Sequence, residues 1–168
     1  QLFAAGELDA ITINFPTPQP KAKYAKKRLV HVDHLMLYRP LLAAGATVTL
    51  RTDSKPLRDY ALGQFAAAGY DTLWISDDVR RDHPEHPETE YECRTREMGA
   101  AVYGICATPG EKPTDEQLTV GRVQEQSLAC YLPDNLDELT YVPLGMEEAV
   151  ENFRNRARKG KKRLPQES

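Results

Sequence analysis

Little in this chain favours a covalent framework or a membrane. Cysteine occurs three times in 168 residues, at Cys93, Cys106 and Cys130. The number is odd and the spacing wide, with no metal-type pair, so a reducing cytoplasm is expected rather than a disulfide scaffold. No apolar run approaches the ~20 residues of a membrane helix. No basic stretch followed by an apolar core marks the amino end as a secretory leader. Charge of one sign is not in excess: 22 Lys and Arg stand against 25 Asp and Glu, for a net charge of -3. Missing too is a glycine-rich strand-to-helix turn near the start. The chain opens on Gln1 and falls almost at once into a strand, so a fragment of a longer protein or an unusual half-domain is expected.

What is present is an alternation of periods. Ile11-Thr12-Ile13-Asn14 lies within a short β-branched strand spanning Asp9 to Phe15, after what reads as the last turn of a helix ending near Gly6. Val32, Leu35, Met36 and Leu42 recur at helical spacing, with Gly45 as the stop. Thr47 to Arg51 is a second strand. Asp53 or Ser54 caps the next helix, with Pro56 in its first turn. That helix buries Leu57, Tyr60, Ala61, Leu62, Phe65 and Ala68 and stops at Gly69. Thr72 to Ser76 is a third strand, with Trp74 read as core. Asp77 to Glu88 is polar and proline-containing and reads as a loop. Ala100 to Ala107 is a fourth strand. Strand-helix-strand repeats with short links specify an α/β fold with a mostly parallel sheet. The last strand lacks a helix-length crossover and is expected to run reversed. Beyond a linker at Thr108 to Gln117, one or two short strands are expected between Val120 and Val142. An amphipathic helix is expected over Met146 to Lys159.

The segment Phe15-Pro16-Thr17-Pro18-Gln19-Pro20-Lys21 follows the first strand. Its three prolines forbid both helix and central strand. The chain must leave the sheet as a stiff loop, which launches Lys21, Lys23, Lys26, Lys27 and Arg28. Ligands of parallel α/β sheets bind beyond the carboxyl ends of the strands, so a basic flank there suits a phosphate-rich ligand. A second basic cluster, Arg154, Arg156, Arg158, Lys159, Lys161, Lys162 and Arg163, ends the chain, as solvated charge or as an RNA-contacting arm. His31 with His34, and His83 with His86, are candidate metal pairs. No third or fourth ligand is placed, so no metal is expected.

The order of these elements is specific. Phe-Pro-x-Pro-x-Pro-Lys, then Lys27-Arg28-Leu29-Val30, then Thr52-Asp53, then Thr89-x-Tyr91-Glu92-x-Arg94, resembles the tRNA (guanine-N7-)-methyltransferase family from Ile11 to about Ala107. The resemblance implies a partial Rossmann-like, S-adenosylmethionine-dependent fold in residues 1–107, which would transfer methyl to N7 of a guanine in the tRNA variable loop. Residues 108–168 form an extension with no recognised counterpart. Carried over by position, Lys21, Asp53, Thr89 and Glu92 would bind the target nucleotide, with Arg94 supporting that segment. Thr17 and Asp53 would be the catalytic pair. Asn14, Phe15 and Pro16 would touch the cofactor, and Lys23, Lys26, Lys27 and Arg28 would contact RNA from solvent-facing positions. Two departures stand out: Thr17 occupies the place of the family's Asp, and Gln19 that of its Trp. The family's cofactor-binding glycine motif would lie upstream of this chain. The expected partners are tRNA and, through an unpaired edge of the first strand, a second copy or a cover by the extension. The other class considered is a non-catalytic RNA-binding or scaffold protein derived from the family.

Overall fold

The computed structural model describes residues 2–161. Four strands form one sheet: β1 (Leu8–Asn14), β2 (Leu42–Thr52), β3 (Tyr70–Ser76) and β4 (Tyr103–Pro109). Their order is β1-β2-β4-β3. β1 and β2 are parallel, whereas β4 runs antiparallel to both β2 and β3. The fold is α/β with a mixed sheet, and the expected reversed last strand lies inside it, between β2 and β3. That position explains why β2 is buried from Val48 to Thr52: it has a neighbour on each edge and layers on each face.

Helices fill the connections. α1 (Val32–Tyr38) joins β1 to β2, and α2 (Lys55–Ala67) joins β2 to β3. α1 is shorter than its periodicity predicts. Pro40 cannot donate a backbone hydrogen bond and disfavours helix in the residue before it, so the chain tightens into a 3-10 turn over Arg39–Leu41. Gly45, expected as the helix stop, instead lies within β2 at φ +76°. The register of β1 against β2 shifts between Leu8 and Ala10 at that level, and glycine takes the left-handed conformation at no steric cost. Ser54 caps α2 by accepting from the Leu57 amide, and Gly69 at φ +70° ends it. Arg39 donates to the carbonyls of Ala68, Gly69 and Gly110 at 3.0, 2.7 and 2.8 Å, placing a cation at the carboxyl end of α2.

Four expectations change. Residues before Leu8 form turns, not a helix. The 77–88 segment holds one helical turn, α3 (Val79–Asp82), capped by Asp78. Trp74 is only partly buried and stacks on His83 instead of entering the core. No described residue between 120 and 142 is strand. There the chain forms the end of α5 (Asp115–Val123), then 3-10 turns at Leu128–Tyr131 and Leu136–Glu138. Its apolar residues enter the core one at a time rather than alternating along a strand: Leu128, Leu132 and Leu136 join Tyr60, Phe65 and Val48 in one buried cluster. The amphipathic helix appears as α6 (Glu147–Lys161), which adds Val150 to that cluster. The extension, from Leu118 to Phe153, thus shares a core with the sheet. Lys162 and Arg163 of the basic cluster lie outside the described residues. No described helix is long and apolar enough to cross a membrane.

Candidate functional site

The carboxyl ends of β1, β2 and β3 and the amino end of β4 meet at one rim. The loop after β1 is held there under strain. Phe15 and Gln19 take φ of +46° and +51°, which for residues with a Cβ costs about 1–3 kcal/mol each. Two devices hold it. The Phe15 amide donates to the Arg51 carbonyl at 2.7 Å. Arg28 reaches back under the loop and donates to the carbonyls of Pro18 at 3.1 Å, Gln19 at 2.7 Å and Gln126 at 2.7 Å. Its guanidinium also lies 4.4 Å from the centre of the Tyr60 ring. At 1% exposure, Arg28 is therefore not a solvent-facing RNA contact, and that expectation is corrected. Three prolines deprive the loop of backbone donors while leaving their carbonyls to be satisfied. Arginine, with five donors on a planar fork, meets that need.

Beside this loop opens a cavity of about 430 Å³ lined by Asn14, Phe15, Pro16, Thr17, Pro18, Asp53, Thr89, Tyr91, Leu144 and Gly145. Its size falls in the ~300–1,000 Å³ range of small-molecule sites. Asp53 also lines a neighbouring cavity of about 380 Å³, whose other walls include Tyr103, Tyr131, Tyr141 and Met146. Asp53 is nearly buried, at 8% exposure. Its Oδ2 accepts from Tyr91 Oη and Tyr141 Oη, each at 2.9 Å. Burial, then the hydrogen bond to Asp53, pushes both phenols above the ordinary tyrosine range, so both stay protonated and donate. The Phe15 and Tyr91 rings meet at 4.9 Å.

Thr89 precedes α4 (Glu90–Glu97) as its N-cap and forms the capping box with Glu92. The Glu92 amide donates to Thr89 Oγ1 at 3.2 Å, and the Thr89 amide to Glu92 Oε2 at 2.8 Å. Glu92 is fully buried and its Oε1 accepts from Arg51 Nη2 at 2.5 Å. Its carboxylate is thus spent behind the cavity, locking α4 to β2. Arg80 Nη2 donates to the Glu92 carbonyl at 3.0 Å. Arg94, expected to support this segment, is exposed and pairs with Glu90 one turn away, so Arg51 and Arg80 do that work instead.

The basic flank divides. Lys23, Lys26 and Lys27 are exposed, with Lys23 and Lys27 flanking the Tyr24 ring at 5.0 and 4.8 Å. Lys21 Nζ pairs with Glu148 Oε1 on α6 at 2.9 Å, which raises its pKa. His31 and His34 do not form a metal pair. His31 is buried, its Nδ1 accepting from the Asp33 amide as the cap of α1, while His34 Nδ1 lies 2.9 Å from the Arg28 carbonyl.

The structure therefore gathers Asn14, Phe15, Pro16, Thr17, Asp53 and Thr89 around one cavity, while Lys23, Lys26 and Lys27 are exposed in the segment that follows its loop. Two contributors were missed. Tyr91 sat inside the segment already singled out. Tyr141 carried no sequence signal, because it reaches Asp53 across 88 residues.

Comparison with known proteins places this rim within a matched region. A family model described as "Putative methyltransferase" matches residues 1–105. A tRNA (guanine-N(7)-)-methyltransferase of Streptococcus equi subsp. zooepidemicus is 33% identical over 107 residues, covering 63% of this chain and 51% of the relative. Enzymes of the same name from Brevibacillus brevis and Exiguobacterium sibiricum are each 34% identical, over 64% and 63% of this chain and 51% and 50% of their own lengths. The chain spans about half the length of the curated relatives it matches. The scaffold alternative gains no support from these matches.

Proposed function

The chain belongs to the methyltransferase family that matches residues 1–105, and from that membership we propose that it carries the guanine-facing part of a tRNA (guanine-N7-)-methyltransferase. The observation that carries the reading is the nearly buried Asp53 carboxylate, fixed by two phenols at the wall of the cavity.

Guanine N7 has a free lone pair in the plane of the ring, so methylation there needs no general base. Two demands remain: to hold the base in line with the incoming methyl, and to offset the positive charge that grows on the purine. Asp53 meets the second. With Tyr91 and Tyr141 donating to one oxygen, the carboxylate is held in place before reaction, and its other oxygen is left for the substrate. Phe15 offers a ring face at the cavity wall, and the hydroxyls of Thr17 and Thr89 offer hydrogen bonds to base edges. Thr17 supplies no charge, so the electrostatic role falls on Asp53. Lys23, Lys26 and Lys27 attract the phosphate backbone, and Lys21 joins them when it leaves Glu148.

S-adenosylmethionine, when bound, supplies the methyl as an electrophile on a sulfonium. Asn14, Phe15 and Pro16 fit one wall of such a site: they stand at the end of β1 and open onto the cavity. The rim turns at 15–21, 53–54 and 77–78 contain no glycine. Glycines do border the two cavities elsewhere, Gly145 in the wall of the first and Gly99, ahead of β4, in that of the second. β1 is an edge strand, and no described segment of the extension pairs with it, so a second copy of the chain remains a candidate partner there. The reading is tested by incubating the protein in its natural length with labelled S-adenosylmethionine and unmodified tRNA. Label recovered as N7-methylguanine supports it; label in any other nucleoside, or none, refutes it.

A further inference from the structure

The loop between α3 and α4 brings three ligand groups together. His83 Nδ1 lies 3.3 Å from Glu85 Oε1, and His86 Nε2 lies 3.9 Å from the same oxygen. One ligand atom from each of the three residues falls within 4.8 Å of the others. The turn itself sets this geometry: the His86 amide donates to the His83 carbonyl at 3.1 Å, and Pro84 fixes the position after His83. A second element orients the rings. Trp74 of β3 stacks on His83 with centroids 3.9 Å apart and planes at 26°, and meets His86 edge-on at 5.8 Å. The imidazoles are 21% and 29% exposed, against 67% for the Glu85 side chain. The group thus rests against the sheet with its open side to solvent.

We propose that His83, Glu85 and His86 bind a divalent transition-metal ion of the zinc type, with water completing the shell. Two imidazoles and one carboxylate with an open position form a donor set of zinc sites. Bond lengths of ~2.0–2.1 Å in a tetrahedron put ligand atoms about 3.3 Å apart. The His83–Glu85 gap already has that value, His86 Nε2 needs to close on Glu85 Oε1 by roughly half an ångström, and the two imidazole nitrogens start within 4.8 Å of each other. The ion would pin the loop that runs through Pro87, whose carbonyl accepts from Arg51 at 2.9 Å, into Thr89 and Tyr91. It would act by holding those two residues in place and stands apart from the methyl-transfer reading.

The test uses the full chain without a histidine tag, stripped of metal. Zn²⁺ is titrated by calorimetry, and Cu²⁺ by quenching of Trp74, the single tryptophan. One saturable equivalent of Zn²⁺, strong quenching by Cu²⁺ and a Zn²⁺-dependent rise in melting temperature are expected. Glu85→Gln and His86→Ala, both on a solvent-facing loop, should each weaken binding by at least roughly tenfold and abolish the thermal shift. Absence of saturable binding overturns the proposal. So does affinity that survives both substitutions, or that falls only with His34→Ala.

Discussion

Tyr141, in the part of the chain beyond the family match, donates a hydrogen bond to Asp53 at 2.9 Å, sharing Oδ2 with Tyr91. The Asp53 carboxylate is thus set jointly by the family-like sheet and by the extension. A hydrogen bond to a charged group contributes about 1.5–3 kcal/mol. Tyr141→Phe should therefore lower kcat/KM for methyl transfer to tRNA by roughly tenfold or more, at 1.4 kcal/mol per factor of ten. Tyr91→Phe should do the same, and the double variant should fall short of the summed losses because both act through one oxygen. Steady-state kinetics of the three variants check this; additive effects would show that the two phenols act separately.

Arg28 and the neighbouring lysines should separate cleanly. Arg28→Ala leaves the carbonyls of Gln19 and Gln126 without their donor, at a cost of roughly 2–5 kcal/mol. Arg28→Lys should not restore stability, since a single ammonium lacks the spread donor fork that reaches the Pro18, Gln19 and Gln126 carbonyls. By contrast, Lys26→Ala with Lys27→Ala should leave stability within ~0.5 kcal/mol. It should flatten the salt dependence of tRNA binding by about one unit of slope per lost contact. Chemical denaturation and salt-titrated binding read both effects, and a stable Arg28→Ala protein with weakened tRNA binding would invert the assignment.

That contrast also shows what the sequence makes legible. The order β1-α1-β2-α2-β3 is visible because its signals are local: apolar period, the Ser54 cap and the Gly69 stop, with Gly45 misread. The reversed β4 is expected because no helix-length apolar period precedes it in the sequence, although the short, polar α3 and α4 do lie there. Arg28 is misread because a run of positive charge looks solvated, and only the donor deficit of the three prolines hints otherwise. Tyr141 is invisible because nothing local marks a contact to Asp53. The strands expected between 120 and 142 fail because Leu128, Leu132 and Leu136 enter the common core one at a time from 3-10 turns and the chain beside them.

His31 gives the fold an acid-side signature. Burial lowers its pKa below the ordinary 6.5, with the nearby Asp33 opposing that shift. A depressed folded pKa means that the stabilisation is complete above 6.5 and is lost as pH falls through the folded value. The neutral ring is also the acceptor that caps α1. Melting temperature should therefore decline as pH drops from about 6.5 toward 5, before most carboxylates titrate. His31→Asn keeps an acceptor at the cap and should remove that part of the decline. An unchanged pH profile in the variant would place the acid sensitivity elsewhere.

Thr17 borders the cavity without charge. Thr17→Asp adds a carboxylate facing a purine that becomes cationic, so methyl transfer should rise several-fold while stability stays within ~0.5 kcal/mol. Single-turnover rates measure it. A lower rate would show that Thr17 positions the base through its hydroxyl.

The most direct measurement of the central claim maps the methylated atom and its dependence on Asp53 together. The natural-length protein and its Asp53→Asn variant are each incubated with tRNA and labelled S-adenosylmethionine, and the tRNA is cleaved at N7-methylguanine. The prediction is label at one guanine N7 with the parent, and a rate at least ~100-fold lower with Asp53→Asn, the scale seen when a preorganised electrostatic partner is removed. Methylation at any other atom, or an Asp53→Asn variant as fast as the parent, would contradict the account.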